Sequence, residues 1–128
     1  KHVVVVGRSL VIGKPVAMLL LKRNASVTMC HSKTEDLRAL TRQADIVICA
    51  TGRPKAFDRT FFSPGQTVVD VGISFDDEGN LCGDVDFADV EPVVGAITPV
   101  PGGIGSVTTS VTMEHTVLAA ERQARLQK

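Results

Sequence analysis

The sequence has no tryptophan and no tyrosine, and its five phenylalanines are its only aromatic residues. Platforms for stacking bases are therefore scarce, which argues against single-stranded nucleic acid as a partner. Neither sign of charge is in excess, since 14 Lys and Arg face 14 Asp and Glu. That balance speaks against a nucleic acid or a membrane surface held mainly by charge. Cysteine is sparse: Cys30, Cys49 and Cys82 are widely spaced, odd in number and form no CxxC pair. Neither a zinc site nor a disulfide framework is indicated, and a reducing, cytoplasmic compartment fits best. His2 and His115 have no Cys or carboxylate at ligand spacing, so no metal is expected. No apolar run is long enough to span a bilayer, and no signal peptide or internal repeat is visible.

What is present is one domain's worth of chain. At 128 residues, 44% hydrophobic and 22% charged, the sequence can bury a real core and reads as globular. It is organised around Gly7–Pro15 (GRSLVIGKP), which follows the run Val3–Val6 and leads into Val16–Leu21. A β-branched run, a glycine and an amphipathic segment read as strand, tight turn, helix. Gly7 lets the chain turn off the strand, and Gly13 lets backbone approach a ligand or a neighbouring strand closely. Free N–H groups at the helix start are expected to form an anion site, with Arg8 and Ser9 adding charge and donors. The spacing is not that of G-x-G-x-x-G.

The pattern continues in alternating units. A helix from about Lys14 to Arg23, ended by Asn24, precedes a strand at Ser26–Cys30. Thr34 is expected to cap a short helix whose apolar face is Leu37, Leu40 and Ala44. Ile46–Ala50 and Thr67–Val71 read as strands, the first buried on both sides. Between them, Phe57, Phe61 and Phe62 read as core fillers. Leu81–Val85 is expected to pair back as a hairpin arm, Asp86 to cap a helical turn at Phe87–Val90, and Val93–Thr98 to form a further strand. A helix over Val107–Arg125 is expected to bury Val111, Val117, Leu118 and Ala120. This alternation implies an α/β, Rossmann-like, doubly wound parallel sheet in a single domain. Ligands of such sheets bind beyond the carboxyl ends of the strands. Gly7, Gly52 (with Thr51), Gly72 and Gly102-Gly103 fall at such ends.

A dinucleotide site normally places an acid after the second strand to hold the ribose hydroxyls. Here that position reads Cys30-His31-Ser32-Lys33-Thr34, with no carboxylate before Glu35. Hydroxyl and cationic groups there, with Arg8, suit the 2′-phosphate of NADP, whereas Glu35 reaching back to a ribose would favour NAD. His31 reads as structural or as packing near an adenine, Asp70 as bonding backbone inside the crevice, and Asp84 and Asp86 as turn and cap residues. No catalytic arrangement is evident from spacing.

The runs GRSxxxGKP, VTxCHSKT, ATGRP, DVGI, GDVDF and TPVPGGIG occur in that order over nearly the whole chain. Together they resemble the NAD(P)-binding domain of the bifunctional methylenetetrahydrofolate dehydrogenase/cyclohydrolase family. The resemblance implies NADP as cofactor, a folate substrate, a role in one-carbon metabolism and a homodimer. It implies that Gly7, Arg8 and Ser9 hold phosphates and that Ser32 with Arg8 meets the 2′-phosphate. Ile73, after Gly72, would lie against the nicotinamide, with Gly102, Gly103 and Thr108 near the cofactor and folate cleft. Gly13, Thr51 and Gly52 complete the expected cofactor set. The family's catalytic lysine and tyrosine belong to an N-terminal folate domain. We therefore expect this chain to be a fragment of a two-domain enzyme, binding cofactor with little or no catalysis. The sequence departs from the family pattern at Ser106-Val107, where many members have Pro-Met, and at His115, where many have Asn. Another two-domain dehydrogenase, acting on an amino or hydroxy acid, or a non-catalytic interaction module of the same fold, are the competing readings.

Overall fold

The computed structural model describes residues 1–128. Five parallel strands form the central sheet: β1 (His2–Val6), β2 (Ser26–Cys30), β3 (Ile46–Cys49), β4 (Thr67–Asp70) and, further on, β7 (Ala96–Ile97). Their order is β2-β1-β3-β4-β7. The chain leaves β1 toward one edge, then returns past it to build the rest, so the switch point lies between β1 and β3. Val3–Val6 pairs with Ile46–Cys49 on one side, and His2–Val6 pairs with Ser26–Cys30 on the other. The doubly wound parallel sheet expected from the sequence is present.

Side chains alternate across each strand, and β1 divides its valines between two cores. Val4 and Val6 join Val47, Cys49, Val68, Phe57 and Phe62 on one face, covered by α2 (Leu37–Arg42) and α3 (Phe87–Val90). Val3 and Val5 join Ala17 and Ile48 on the other, covered by α1 (Gly13–Lys22). Phe57 and Phe62 are core fillers as expected, and Phe61 packs edge-on against Phe57 with ring centroids 5.1 Å apart. Cys30 and Cys49 are buried free thiols.

Several local expectations need correction. Thr34 does not cap α2: its hydroxyl accepts from the His31 N–H at 2.8 Å. Asp36, in a left-handed conformation, caps instead and accepts from the Ala39 N–H at 3.2 Å. The Val93–Thr98 strand shrinks to Ala96–Ile97. Val93 and Val94 still donate to the carbonyl of Val90, so the start of the run stays out of the ladder; past its end the Thr98 N–H donates to the Val68 carbonyl at 3.1 Å while the Thr98 hydroxyl accepts from the Asp70 N–H. The hairpin arm pairs only at β5 (Ser74–Phe75) and β6 (Leu81–Cys82), which run antiparallel. Asp86 flanks α3 without a side-chain cap. The last helix, α4 (Ile104–Leu126), buries no residue, so Val111, Val117, Leu118 and Ala120 are all exposed.

The amino-terminal edge of the sheet is latched. Gln66 is buried; its side-chain amide donates to the carbonyls of Thr41 and Ala44 at 2.8 and 2.6 Å. Its Oε1 accepts from the Ser63 N–H at 2.7 Å, and its backbone carbonyl accepts from Gly95 and Ala96. Asp45 bridges β1 and β4 there, donating its N–H to the His2 carbonyl and accepting from the Thr67 N–H.

Candidate functional site: two cavities at the carboxyl edge

Two cavities open where the strands end. The first, of about 400 Å³, lies over the switch point and is lined by Gly7, Arg8, Ser9, Ser32, Thr51 and Arg53 among others. The second, of about 610 Å³, follows β4 and β7 and includes Gly72, Ile73, Gly103 and Thr108. The loop after β1 borders both: Gly7–Ser9 face the first and Ile12 faces the second. Of the expected cofactor set, only Gly13 and Gly52 line neither cavity.

Gly7 and Gly13 have a steric role. Gly7 has φ +129°, and a Cβ there would meet the Ala50 carbonyl of the neighbouring strand end. A Cβ on Gly13 would run into the Gly7 carbonyl. The two glycines let the first turn fold back on its own strand.

The helix start differs from expectation. Ser9 Oγ accepts from the N–H groups of Ile12 and Gly13 at 3.0 and 3.3 Å, and the Ser9 carbonyl accepts from Lys14 at 3.0 Å. Pro15 has no N–H, and Val16 donates to Ile12. The first turn of α1 therefore keeps no unpaired N–H for an anion, because Ser9 spends its side chain closing the turn. The N–H groups without a partner in the chain lie earlier, at Arg8, Ser9, Leu10 and Val11. They belong to the loop between the two cavities, the chemistry an anion needs in a concave backbone.

After β2, His31 closes a turn and also lines the first cavity: its Nδ1 pairs with the Lys33 N–H at 3.2 Å, and its carbonyl accepts from Thr34. With the turn closed by His31 and Thr34 and the helix capped by Asp36, the exposed Ser32 hydroxyl makes no hydrogen bond within the chain. It stands on the first cavity beside Arg8, which is also exposed and makes no ion pair.

Sequence reasoning missed the role of Asp84, read as a turn residue. Asp84 is fully buried, and its carboxylate gathers the turn after β3. Oδ2 accepts from the Thr51 N–H, the Thr51 hydroxyl and the Gly52 N–H, and Oδ1 accepts from the Arg53 N–H. Asp70, as expected, bonds backbone inside the crevice: it accepts from the N–H groups of Gly72, Asp84 and Val85 at 2.9, 3.0 and 2.9 Å. Burial nevertheless raises the Asp70 carboxyl above its ordinary range; the three N–H groups pull against this and the nearby Asp84 adds to it. Burial also pushes the Cys49 thiol well up, and Asp70 and Asp84 push it further. The sequence signals for Asp84 were its place in the GDVDF run and a GD pair after a β arm, neither of which names the turn at 51–53 as its partner.

A parallel sheet with its switch point over one cavity, a second cavity along the same edge and a donor-rich loop between them define a dinucleotide-binding α/β domain. Residues 1–124 match the family described as tetrahydrofolate dehydrogenase/cyclohydrolase, NAD(P)-binding domain, and the chain belongs to that family. It is 55% identical over 124 residues to the bifunctional protein FolD of Delftia acidovorans, covering 97% of this chain and 44% of that one. Among solved structures, it resembles the bifunctional FolD dehydrogenase/cyclohydrolase of Campylobacter jejuni with a TM-score of 0.90 and 42% identity, over 94% of this chain and 43% of that one. The Trypanosoma brucei dehydrogenase-cyclohydrolase, solved with NADP cofactor and an inhibitor, matches with a TM-score of 0.87 and 39% identity, over 98% and 45% of the two chains. The chain thus spans less than half the length of the relatives it matches. These relatives favour the family reading over an amino- or hydroxy-acid dehydrogenase or an interaction module.

Proposed function

We propose that this chain is the NADP-binding part of a methylenetetrahydrofolate dehydrogenase/cyclohydrolase. The whole enzyme would oxidise 5,10-methylenetetrahydrofolate to the methenyl form and hydrolyse that to 10-formyltetrahydrofolate. The observation that carries the cofactor reading is the loop at Arg8–Val11. Its four N–H groups have no partner in the chain, and it stands between two cavities of a size to take the two halves of a dinucleotide. In this reading the loop holds the phosphates, Arg8 and Ser32 meet the 2′-phosphate, and Gly72 and Ile73 face the nicotinamide beside Gly103 and Thr108. Ser9 contributes its backbone N–H and shapes the loop; Gly13 admits the close turn; Thr51 forms part of the wall, and Gly52 lets the turn behind it close. NADP held here would supply a hydride acceptor for the folate methylene carbon, and the Arg8–Val11 loop with Arg8 and Ser32 would hold and orient it.

Folate binding and proton transfer fall to the further length that the relatives possess, an N-terminal domain on the reading above. Exposed apolar side chains on α1 (Met18, Leu19) and α4 (Val107, Met113, Val117) support burial against more polypeptide. A homodimer through the β5–β6 arm fits the exposed Phe75 at its edge. Three free thiols fit a reducing, cytoplasmic setting.

The test is cofactor discrimination. Isothermal titration with NADP and NAD should show the native chain preferring NADP. Arg8→Ala should reduce that preference by about 10- to 100-fold, as expected for a lost charge-assisted contact to phosphate. Equal affinity for the two cofactors before mutation would refute the 2′-phosphate assignment.

A further inference from the structure

Turns in this fold are mostly closed by their own residues. Ser9 bonds three and four residues ahead, Asp36 three ahead, and Asp76 two and four ahead. Distant carboxylates also hold single N–H groups, as Asp89 holds that of Arg59, but only at the Thr51–Arg53 turn do four donors meet on one of them. Its donors converge on Asp84, more than 30 residues away in sequence: Thr51 N–H at 2.5 Å, Thr51 Oγ1 at 2.8 Å, Gly52 N–H at 3.3 Å and Arg53 N–H at 3.0 Å. Asp84 makes none of the ion pairs in the chain, which join Lys1 to Asp45, Lys55 to Asp76 and Arg59 to Asp89. Four donors need two oxygens with several lone pairs, a demand only a carboxylate meets in this space.

Asp84 is tied in turn to the other cavity. Its N–H donates to Asp70 Oδ1 at 3.0 Å, and the same oxygen accepts from the Gly72 N–H at 2.9 Å. The fit is close on both sides. A Cβ at Gly72 would collide with the Asp84 carboxylate, and one at Gly83 with that of Asp70. Thr51 and Arg53 line the first cavity; Asp70 and Gly72 line the second. Two buried carboxylates therefore join one wall of each cavity through hydrogen bonds alone.

We propose that Asp84 is a positioning residue that sets the spacing between the two cavities, so that both halves of one dinucleotide are held together. This rests on the reading that the two cavities take the two halves of NADP. Binding both halves at once gains affinity over either half only while their separation matches the ligand. A device that fixes the separation acts on that gain and leaves the half-site affinity nearly untouched.

Asp84→Asn keeps the volume but turns an amide N–H toward donors, so either the Thr51-Gly52 bonds or the Arg53 bond is lost. Titration calorimetry with NADP and with 2′,5′-ADP, which has the 2′-phosphate end and no nicotinamide, reads the two affinities separately. In Asp84→Asn the affinity for NADP should fall about tenfold or more while that for 2′,5′-ADP stays within about threefold. An unchanged ratio overturns the proposal, including the case where both affinities fall by one factor, as a partly unfolded population would give. Thr51→Val removes one donor and leaves both carboxylates in place; it should lower the ratio by about threefold even if Asp84→Asn does not fold, and an unmoved ratio there overturns the proposal as well. Native protein that binds neither ligand overturns the cofactor reading itself. Native protein that binds both, with a ratio indifferent to these substitutions, overturns only the role of Asp84.

Discussion

Asp70 carries a pH signature of its own. Burial raises its carboxyl above the ordinary 3.8, so in the window between that value and the folded one the native chain keeps a proton that the unfolded chain has lost. Stability from this group is full below that window and falls as pH rises through it. Exposed Asp45 and Asp58 and half-buried Asp76 and Asp89 have lowered values and act in the opposite sense, losing stability as pH falls. Carbon-detected titration should therefore show Asp70 protonating at a higher pH than these four. Asp70→Asn should remove its share of the slope in urea-unfolding curves taken across the acid range. An Asp70 that titrates with those four carboxylates would contradict this. At this scale the sequence was legible where sterics decide: Gly7 and Gly13 follow from a strand that must turn back on itself. It was illegible where one polar group serves a distant turn, as Asp84 does, because nothing near residue 84 records the needs of residues 51–53.

Among the elements, β1 and β3 were readable because unbroken Val and Ile runs suit strands covered on both faces. Helix ends were less so, since Thr34 and Asp36 are both good caps and only the fold of the His31–Thr34 turn chooses between them. The face of α4 could not be read at all. Its apolar residues Val107, Val111, Met113, Val117 and Leu118 are 40–66% exposed, and a helix's buried face depends on what lies against it. This has a measurable consequence. Val111→Ala should change the stability of this chain by less than about 0.5 kcal/mol, the usual range for surface sites. Val47→Ala, at a fully buried position, should cost about 2–4 kcal/mol in the same urea titration. A large loss at Val111 would mean that α4 packs on the sheet.

At the scale of the whole molecule, binding and turnover should separate. The proposed reaction requires folate and nicotinamide to be held against each other, and most of the rate in such a step comes from that joint placement. On the proposed reading the two cavities supply the nucleotide's side of it, with no Lys lining either one. This chain mixed with methylenetetrahydrofolate and NADP should give no NADPH absorbance above the uncatalysed rate, while titration shows the cofactor bound. Covalent joining to the further N-terminal length of a longer relative should restore turnover. Brisk turnover by this chain alone would overturn the division of labour proposed here.

The Gln66 latch has a consequence for how such a molecule can change over time. Every donor and acceptor of that buried amide is committed to backbone, and its own carbonyl ties in the segment before β7. Together with Asp45 it makes the amino-terminal edge a fixed foundation whose spacing is indifferent to what the opposite edge binds. The loops that line the cavities can therefore be rewritten residue by residue, toward another nucleotide or another neighbour, without reopening the question of how the sheet assembles. Substitutions in those loops should change what is bound while the sheet still assembles, whereas loss of the Gln66 amide should cost assembly whatever is bound.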